Sequence, residues 1–277
     1  MGERVNRIIG QYRRMVTSKA QPLTPLPSVG RAYSQVRKVR LGDVRPDGKL
    51  RFDALVRYAQ DVSNDDTTDA ELVNDLAWVV RKTTVDVVVE AEFGEVLTFV
   101  TFCSGLGGRW AERRLHVTGD RGARIEVATL WVHLDPDSGR PSRLSQQFID
   151  LYAEAAQGRK VGARLDHPDP GPSATTRSWP IRYVDFDIFD HMNNAAYWAA
   201  VEELIAERSF PPVRCRAELE YGHGIDHGGD ITLIVDDVAV GPATSSSRGF
   251  ALWWSSDEAA KPAASGLVFS LPDDWYR

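Results

Sequence analysis

The chain has 277 residues, of which 43% are hydrophobic and 26% are charged. These proportions are close to those of average soluble globular proteins and exclude a disordered or fibrous chain. No apolar run approaches the roughly 18 residues of a membrane-spanning helix. Cys103 and Cys215 lie far apart, which excludes a disulfide framework and a cysteine-rich zinc site, so the cytoplasm is the expected compartment.

The net charge of −6 is distributed unevenly along the chain. Residues 1–40 contain nine Lys and Arg residues and a single acid, Glu3, which leaves 24 basic and 38 acidic residues in the rest of the chain. A basic segment on an acidic protein favours an acidic partner, with nucleic acid, a membrane surface and an acidic protein as the alternatives. A segment that is merely solvated is the simpler interpretation.

The positions of the proline and glycine residues divide the chain into four predicted parts. Residues 1–30 read as a basic arm in which three prolines follow a short helical stretch, and residues 158–178 are rich in glycine and proline, as is typical of a linker. We therefore expect a first domain at residues 31–157 and a second domain at residues 179–277.

The two predicted domains repeat the same succession of elements. The sequence VRLGDV at 39–44 aligns with IRYVDF at 181–186, and the apolar stripe of an amphipathic helix follows each, at 52–59 and at 197–205. Four strand patterns follow each helix, at 84–91, 96–103, 109–118 and 125–134 in the first domain and at 214–221, 230–238, 248–255 and 263–271 in the second. The patterns predict an α+β fold, in which a curved antiparallel sheet wraps one long central helix per domain.

The densest group of reactive side chains precedes the helix of the second domain. Residues 182–197 read RYVDFDIFDHMNNAAY. Asn193 or Asn194 is predicted to cap the helix, whose free N–H groups and dipole can stabilise an oxyanion. Asp187 and His191 come just before it, as a candidate general base and a candidate orienting or proton-donating group. The simpler interpretation is an Asp/Asn-rich turn that only caps a helix.

The internal repeat favours a reactive site over a plain turn. The first domain has a cation in place of the aspartate, the histidine and the first asparagine of the motif: at an offset of 142 residues these positions are Arg45, Lys49 and Arg51. The first domain thus has the scaffold without the reactive groups, as expected if one site serves a duplicated domain.

The stretch 182–197 resembles the signature of hot-dog-fold thioesterases, both of the 4-hydroxybenzoyl-CoA thioesterase type and of the acyl-acyl-carrier-protein thioesterases. The sequence LAWVVRK at 76–82 is similar to the segment after the first helix in the second group. The resemblance covers residues 34 to 272, approximately, and implies a tandem (double) hot-dog fold in which only the second domain is catalytic. It implies Asp187, His191 and Asn193 as catalytic residues, with Asn194 and Tyr197 as substrate-binding residues.

Two positions depart from the plant-type members of that family. Those enzymes have an asparagine two residues after the catalytic aspartate, where this chain has Phe189, and an acid after a strand-ending tyrosine. Alignment on Tyr221 gives Gly224 at the position of the acid. Either Asp187 and His191 suffice, or hydrolysis is lost, or another residue substitutes; the candidates for that role are His223, Asp226 and Glu203.

The resemblance implies hydrolysis of fatty acyl thioesters, in first place acyl-acyl carrier protein, with release of free fatty acid in fatty acid biosynthesis. A non-catalytic acyl-thioester binding protein and an acyl-CoA thioesterase are the alternatives. A hot-dog dehydratase ranks last, because its Asp-x-Asn-Pro-x-His pattern has five residues from Asp to His, whereas Asp187 and His191 are four apart.

An acidic carrier protein is the expected partner, and nucleic acid is not. The oligomeric state stays open between a monomer and a homodimer. His223 and His227 have the spacing of a helical metal site, but the glycines around them place them in a loop, so neither a metal nor a cofactor is expected.

Overall fold

The computed structural model describes residues 20–72, 78–208, 214–240, 247–256 and 261–276. The helical stretch predicted in the basic arm lies outside these residues, as does the beginning of LAWVVRK. The chain divides into two compact units, which we call the first unit (Leu23–Arg164) and the second unit (Met1–Pro22 with Leu165–Arg277). The division falls after Arg164, within the stretch whose composition is typical of a linker.

In its described residues the first unit consists of an antiparallel sheet and two α-helices. Its elements in chain order are β1 (Ala32–Lys38), α1 (Phe52–Asp69), β2 (Trp78–Val89), β3 (Val96–Leu106), β4 (Trp110–Gly119), β5 (Arg124–His133) and α2 (Gln146–Ala156). The strands lie in the order β1-β3-β4-β5-β2. α1 places its apolar stripe, which includes Leu55 and Val62, in the core and contacts β1 and β3.

The second unit has the same strand order as the first. Its elements are β6 (Thr175–Trp179), α3 (Trp198–Glu207), β7 (Cys215–Tyr221), β8 (Ile231–Val240), β9 (Ser247–Ser256) and β10 (Ala264–Ser270). The antiparallel order is β6-β8-β9-β10-β7. In both units the first strand is followed spatially by the third, fourth, fifth and second, so the repeat extends from sequence to topology.

The predicted α+β class and all eight strand patterns are confirmed, with three corrections to the elements. β2 begins at Trp78 and not at residue 84, because a bulge between Val80 and Lys82 interrupts the alternation of apolar and polar residues there. Residues 175–178 of the predicted linker belong to β6. The central helix is long only in the first unit, since α1 has 18 residues and α3 has 10.

α2 is absent from the prediction. Its N-terminus is capped by Ser145, whose hydroxyl accepts the backbone N–H of Phe148 at 3.2 Å, and its buried residues include Phe148, Tyr152 and Ala155. Apolar residues at positions i, i+4 and i+7 after a serine are the pattern that identifies it. No helix in the described part of the chain is both long and apolar enough to cross a bilayer.

A buried ion network joins the elements of the first unit. Asp66, near the end of α1, is fully buried. Its carboxylate accepts hydrogen bonds from Arg31 Nε (2.8 Å) and from the hydroxyl of Tyr152 (2.7 Å), and it pairs with Arg113 of β4. Three distant segments and a helix therefore meet at one carboxylate.

We expect Asp66→Asn to lower the free energy of unfolding by about 3–5 kcal/mol, because the amide leaves the buried Arg113 guanidinium without a counter-charge. Urea-induced unfolding measures the change. Asp69→Asn is the matched control: its carboxylate pairs with Arg31 but is 56% exposed, so the expected loss is at most about 1 kcal/mol. Equal losses in the two variants would contradict a central role for Asp66.

Candidate active site

The reactive side chains of the motif lie on a closed turn between β6 and α3. A single-turn 3-10 helix, Tyr183–Asp185, leads into the turn. The backbone N–H of Asn193 donates to the carbonyl of Asp185 at 2.8 Å, and that of Asp187 donates to the carbonyl of His191 at 3.0 Å. These bonds bring the three predicted catalytic residues together without using their side chains.

The carboxylate of Asp187 is oriented by the main chain at the tip of this turn. Its Oδ1 accepts the backbone N–H of Phe189 at 2.9 Å, and its carbonyl accepts the N–H of Asp190 at 3.0 Å. Asp190 has a left-handed backbone, with φ of 62°, a conformation that Asp adopts more readily than most residues. A polar residue therefore occupies the position where the turn reverses.

His191 contacts the loop that follows β7. Its imidazole Nε2 lies 3.5 Å from Oδ1 of Asp226, and the two side chains are 58% and 82% exposed. The ring also lies against Gly224, where an added Cβ would come within 3.0 Å of the ring carbon Cδ2. The missing side chain of Gly224 leaves the space that the imidazole occupies.

A second aspartate–histidine pair fastens the same loop to the turn. Oδ1 of Asp190 lies 2.9 Å from Nε2 of His227, and the ring of His227 stacks on Phe186 with 3.5 Å between centroids. The N–H of Met192 donates to the carbonyl of Ile225 at 3.0 Å. This pair is absent from the prediction, because the His-x₃-His spacing of the loop gives no indication of Asp190 as a partner.

Two hydrogen-bond donors lie in the residues just before α3. Oδ1 of Asn193 accepts the N–H of Ala195 at 2.9 Å, whereas the side-chain nitrogen of Asn193 and the backbone N–H of Asn194 have no partner among the described residues. The regular helix begins only at Trp198, with Tyr197 at the N-cap position and no side-chain cap. The predicted cap at Asn193 or Asn194 is therefore wrong for α3, because Asn193 caps the turn before it.

Tyr197 lies beneath the turn and is almost fully buried. Its ring packs edge-on against Tyr221 (5.4 Å between centroids) and Trp254 (5.3 Å). Burial, with a smaller contribution from the carboxylate of Asp226, raises the pKa of Tyr197 above its usual range. The phenol is therefore neutral at physiological pH and supports the turn from the core side.

The first unit contains the same turn with different side chains. The N–H of Arg51 donates to the carbonyl of Asp43 at 2.9 Å, that of Arg45 donates to the carbonyl of Lys49 at 2.8 Å, and Gly48 has the left-handed backbone. Each cation is paired within its own unit: Arg45 with Glu90 at 2.5 Å, Lys49 with Glu92 at 3.3 Å and Arg51 with Asp53 at 2.9 Å. The turn of the first unit carries ion pairs in place of reactive groups.

The structure separates the three candidates for the missing acid. Asp226 contacts His191, as described above. Both ring nitrogens of His223 face backbone carbonyl oxygens, at 3.0 and 3.2 Å, and Glu203 lies in a groove with Arg177. Within the described residues, no group of three or more His, Cys, Asp or Glu side chains is arranged to hold a metal ion.

Comparison with protein families identifies both halves of the chain. Residues 30–152 match the model of the acyl-ACP thioesterase N-terminal domain, where ACP denotes acyl carrier protein, and residues 171–261 match the model of the corresponding C-terminal domain. The turn with Asp187 lies in the C-terminal match, and the turn with Arg45 lies in the N-terminal match.

Individual proteins and solved structures are also similar to this chain. An uncharacterised protein of Mycobacterium tuberculosis, Rv2001, is 30% identical over 212 residues, which are 76% of this chain and 85% of that protein. A Lactobacillus plantarum structure described as an oleoyl thioesterase has a TM-score of 0.73 at 18% identity and covers 90% of this chain and 100% of its own. The 12:0-ACP thioesterase of Umbellularia californica has a TM-score of 0.67 at 16% identity, covering 87% and 94%.

We expect Tyr221→Phe to lower the free energy of unfolding by about 1–3 kcal/mol. The hydroxyl of Tyr221 accepts Trp198 Nε1–H at 3.0 Å and donates to the carbonyl of Asn194 at 3.1 Å, so its loss removes both of these bonds at the start of α3. Thermal and urea unfolding measure the change. Tyr183→Phe, which removes the hydroxyl of a side chain that is 86% exposed, should change stability by less than about 0.5 kcal/mol.

Proposed function

Because the chain belongs to the acyl-ACP thioesterase family and is a thioester hydrolase, we propose that the turn of the second unit hydrolyses fatty acyl thioesters carried by acyl carrier protein. The shared strand order and the shared closing bonds of the two turns support a tandem hot-dog fold with one active copy. The observation that carries the proposal is the contact of His191 with Asp226, on a turn whose backbone bond from Asp187 to His191 keeps these two residues close together.

In the proposed reaction Asp187 acts as the general base. Its carboxylate accepts a proton from water while the water oxygen attacks the thioester carbonyl carbon. The side-chain nitrogen of Asn193 and the backbone N–H of Asn194 donate to the carbonyl oxygen as it becomes an oxyanion. The bond from Phe189 holds one carboxylate oxygen of Asp187 and leaves the other for the water.

The leaving group departs with a proton from the histidine. Collapse of the tetrahedral intermediate breaks the carbon–sulfur bond, and His191 in its protonated form donates the proton that converts the departing thiolate to a thiol. The carboxylate of Asp226, 3.5 Å away, stabilises the imidazolium. Direct attack by Asp187 with a mixed anhydride as intermediate is the mechanistic variant, and ¹⁸O from labelled water found in Asp187 after a single turnover is positive evidence for it, through attack of water on the aspartyl carbonyl carbon.

We expect Asp187→Asn to lower kcat by at least about 10²-fold, because the amide is nearly isosteric but cannot accept the proton of the attacking water. Hydrolysis is followed by release of the free thiol. Arg45→Gln, at the matching position of the first unit, should leave kcat within about twofold even where it changes stability, because Arg45 pairs with Glu90. A fully active Asp187→Asn protein would eliminate the general-base role.

Asp226→Asn should lower kcat by about tenfold or more with KM nearly unchanged, as expected for a group that acts only in the transition state. The matched controls are His223→Gln and Glu203→Gln, which remove the other two candidates for the missing acid and should retain most of the activity. If Asp226→Asn is active while either control loses kcat, the assignment of Asp226 is refuted.

The carrier is proposed from the basic residues at positions 1–40. Arg31 and Arg37 are committed to ion pairs with the acids of α1, so they contribute little to long-range attraction. Arg4, Arg7, Arg13 and Arg14 precede them in the sequence. An acidic carrier protein is the partner that such a segment would steer toward the enzyme.

We expect kcat/KM on acyl-ACP to fall as salt rises from 0.1 to 1 M, since the Debye length shrinks from about 10 Å to about 3 Å. Replacing Arg4, Arg7, Arg13 and Arg14 with Gln should lower kcat/KM at low salt and flatten the salt dependence, with kcat unchanged. The same acyl group on pantetheine lacks the acidic protein and is the control substrate, on which variant and wild type should agree. Equal salt dependence on both substrates argues against steering.

A further inference from the structure

The loop after β7 repeats the loop after β2 of the first unit. The bond that joins Met192 to this loop has a counterpart there, since the N–H of Leu50 donates to the carbonyl of Ala91 at 2.9 Å. Three residues beyond the acceptor carbonyl, each loop has a glycine with a left-handed backbone, Gly94 with φ of 79° and Gly228 with φ of 84°. The two loops therefore align residue by residue, at an offset of 134.

The contact between the histidine and the acid is part of this repeat. Asp226 aligns with Glu92, and each carboxylate contacts the residue of its turn at the same aligned position. Oε2 of Glu92 lies 3.3 Å from Nζ of Lys49, and Oδ1 of Asp226 lies 3.5 Å from Nε2 of His191. The distance from the acid to the turn therefore depends on how the loop is held on either side of the acid.

The two loops are closed differently at the next residue. In the first unit the N–H of Phe93 donates to the carbonyl of Gly48 at 2.8 Å. The aligned residues of the second unit are His227 and Asp190, and in the ranges that the structure describes no backbone hydrogen bond joins them. Their side chains meet instead, with 2.9 Å between Nε2 and Oδ1. A side-chain contact therefore takes the place of the backbone bond.

The ring of His227 is held by stacking as well as by Asp190. It lies on Phe186, as described above, and its centroid is 6.0 Å from that of Tyr183 at an interplanar angle of 29°. The side chains of His227 and Asp190 are 39% and 83% exposed. A polar contact with that exposure contributes little to stability, so the consequence of the contact lies in where it holds the loop.

We propose that Asp190 and His227 are positioning residues that keep the carboxylate of Asp226 within reach of His191. This assignment rests on the proposed function, in which Asp226 stabilises the imidazolium. Asp226 has the bond to Ile225 on one side and the Asp190–His227 contact on the other, each one residue away. Without the second attachment the carboxylate is free to move away from the imidazole, and a displacement of about 1 Å in an active site can lower the rate by about 10²-fold.

Substitutions on either side of the contact test its effect on catalysis. His227→Phe removes Nε2 and keeps a ring for stacking, and phenylalanine is the residue of the first unit at this position. We expect His227→Phe and Asp190→Asn each to lower kcat by about fivefold with KM nearly unchanged, as for a loss felt only in the transition state. Asp230→Asn removes an exposed charge at the end of the same loop and is the matched control, which should keep kcat within about 1.5-fold. An unchanged kcat in His227→Phe would overturn the proposal.

A double-mutant cycle distinguishes positioning from an independent role of His227. If His227 acts only through Asp226, His227→Phe should lower kcat by less than about 1.5-fold once Asp226→Asn is already present. A role that does not pass through Asp226 would give the same loss of about fivefold in both backgrounds, and that result would contradict the proposal. The Tm of each variant verifies that the protein is folded.

The ring ¹H–¹³C NMR signals of the histidines in the full-length protein give a readout that needs no substrate. The signal of His191 is assigned by its loss in His191→Gln. We expect Asp226→Asn to shift this signal, His227→Phe to shift it in the same direction, and Asp230→Asn to leave it in place. An unshifted signal in His227→Phe would refute the positioning role. If the wild type hydrolyses no acyl thioester, the proposed function fails, whereas the His191 signal still decides whether the pair positions Asp226.

Discussion

The closed turn at residues 185–193 is the constraint on which the candidate site depends. Backbone bonds from Asn193 to Asp185 and from Asp187 to His191 close it, and a further bond from Met192 to Ile225 attaches the loop after β7. Because none of these bonds uses a side chain, the turn fixes where side chains begin but not what they are. A closed turn restricts the residue type at each position far less than a helix or a strand does. It can therefore hold Asp187, His191 and Asn193 close together in the chain fold.

The first unit shows what the same backbone supports when its chemistry changes. Its turn closes with the equivalent two bonds, yet the positions of the proposed base and the histidine carry Arg45 and Lys49, each bound to a glutamate just beyond the end of β2. The Lys49–Glu92 pair, with side chains 34% and 44% exposed, contributes little to stability, whereas the Arg45–Glu90 pair is largely buried. The cations thus fill the turn without adding reactivity, and the difference between the two units lies in a few side chains and not in the fold.

Much of the fold could be predicted because it depends on periodicity, whereas the details of the site depend on contacts between segments. Alternation and amphipathic stripes located α1 and the four strands after the helix of each unit, but not β1, β6 or the short α2, and the bulge at Val80 interrupts the alternation in β2. The motif predicted Asp187 and His191 as site residues from local sequence alone. The pairing of His191 with Asp226 and that of Asp190 with His227 join residues 35 and 37 positions apart, and no sequence period encodes such a contact.

In the proposed mechanism, the exposure of the His191–Asp226 pair lets an acid two residues from the family position serve the same chemistry. At Gly224 the absent Cβ lets the imidazole lie on the loop backbone, and a side chain there would displace the ring. Asp226 lies two residues further along the loop, and its carboxylate contacts Nε2 of His191. In water two charges at 4 Å attract by only about 1 kcal/mol, so the pair costs little in the free enzyme. In the proposed reaction, a bound thioester covers both groups, lowers the local dielectric and strengthens their attraction, so that Asp226 acts mainly in the transition state, where the proposed imidazolium is needed.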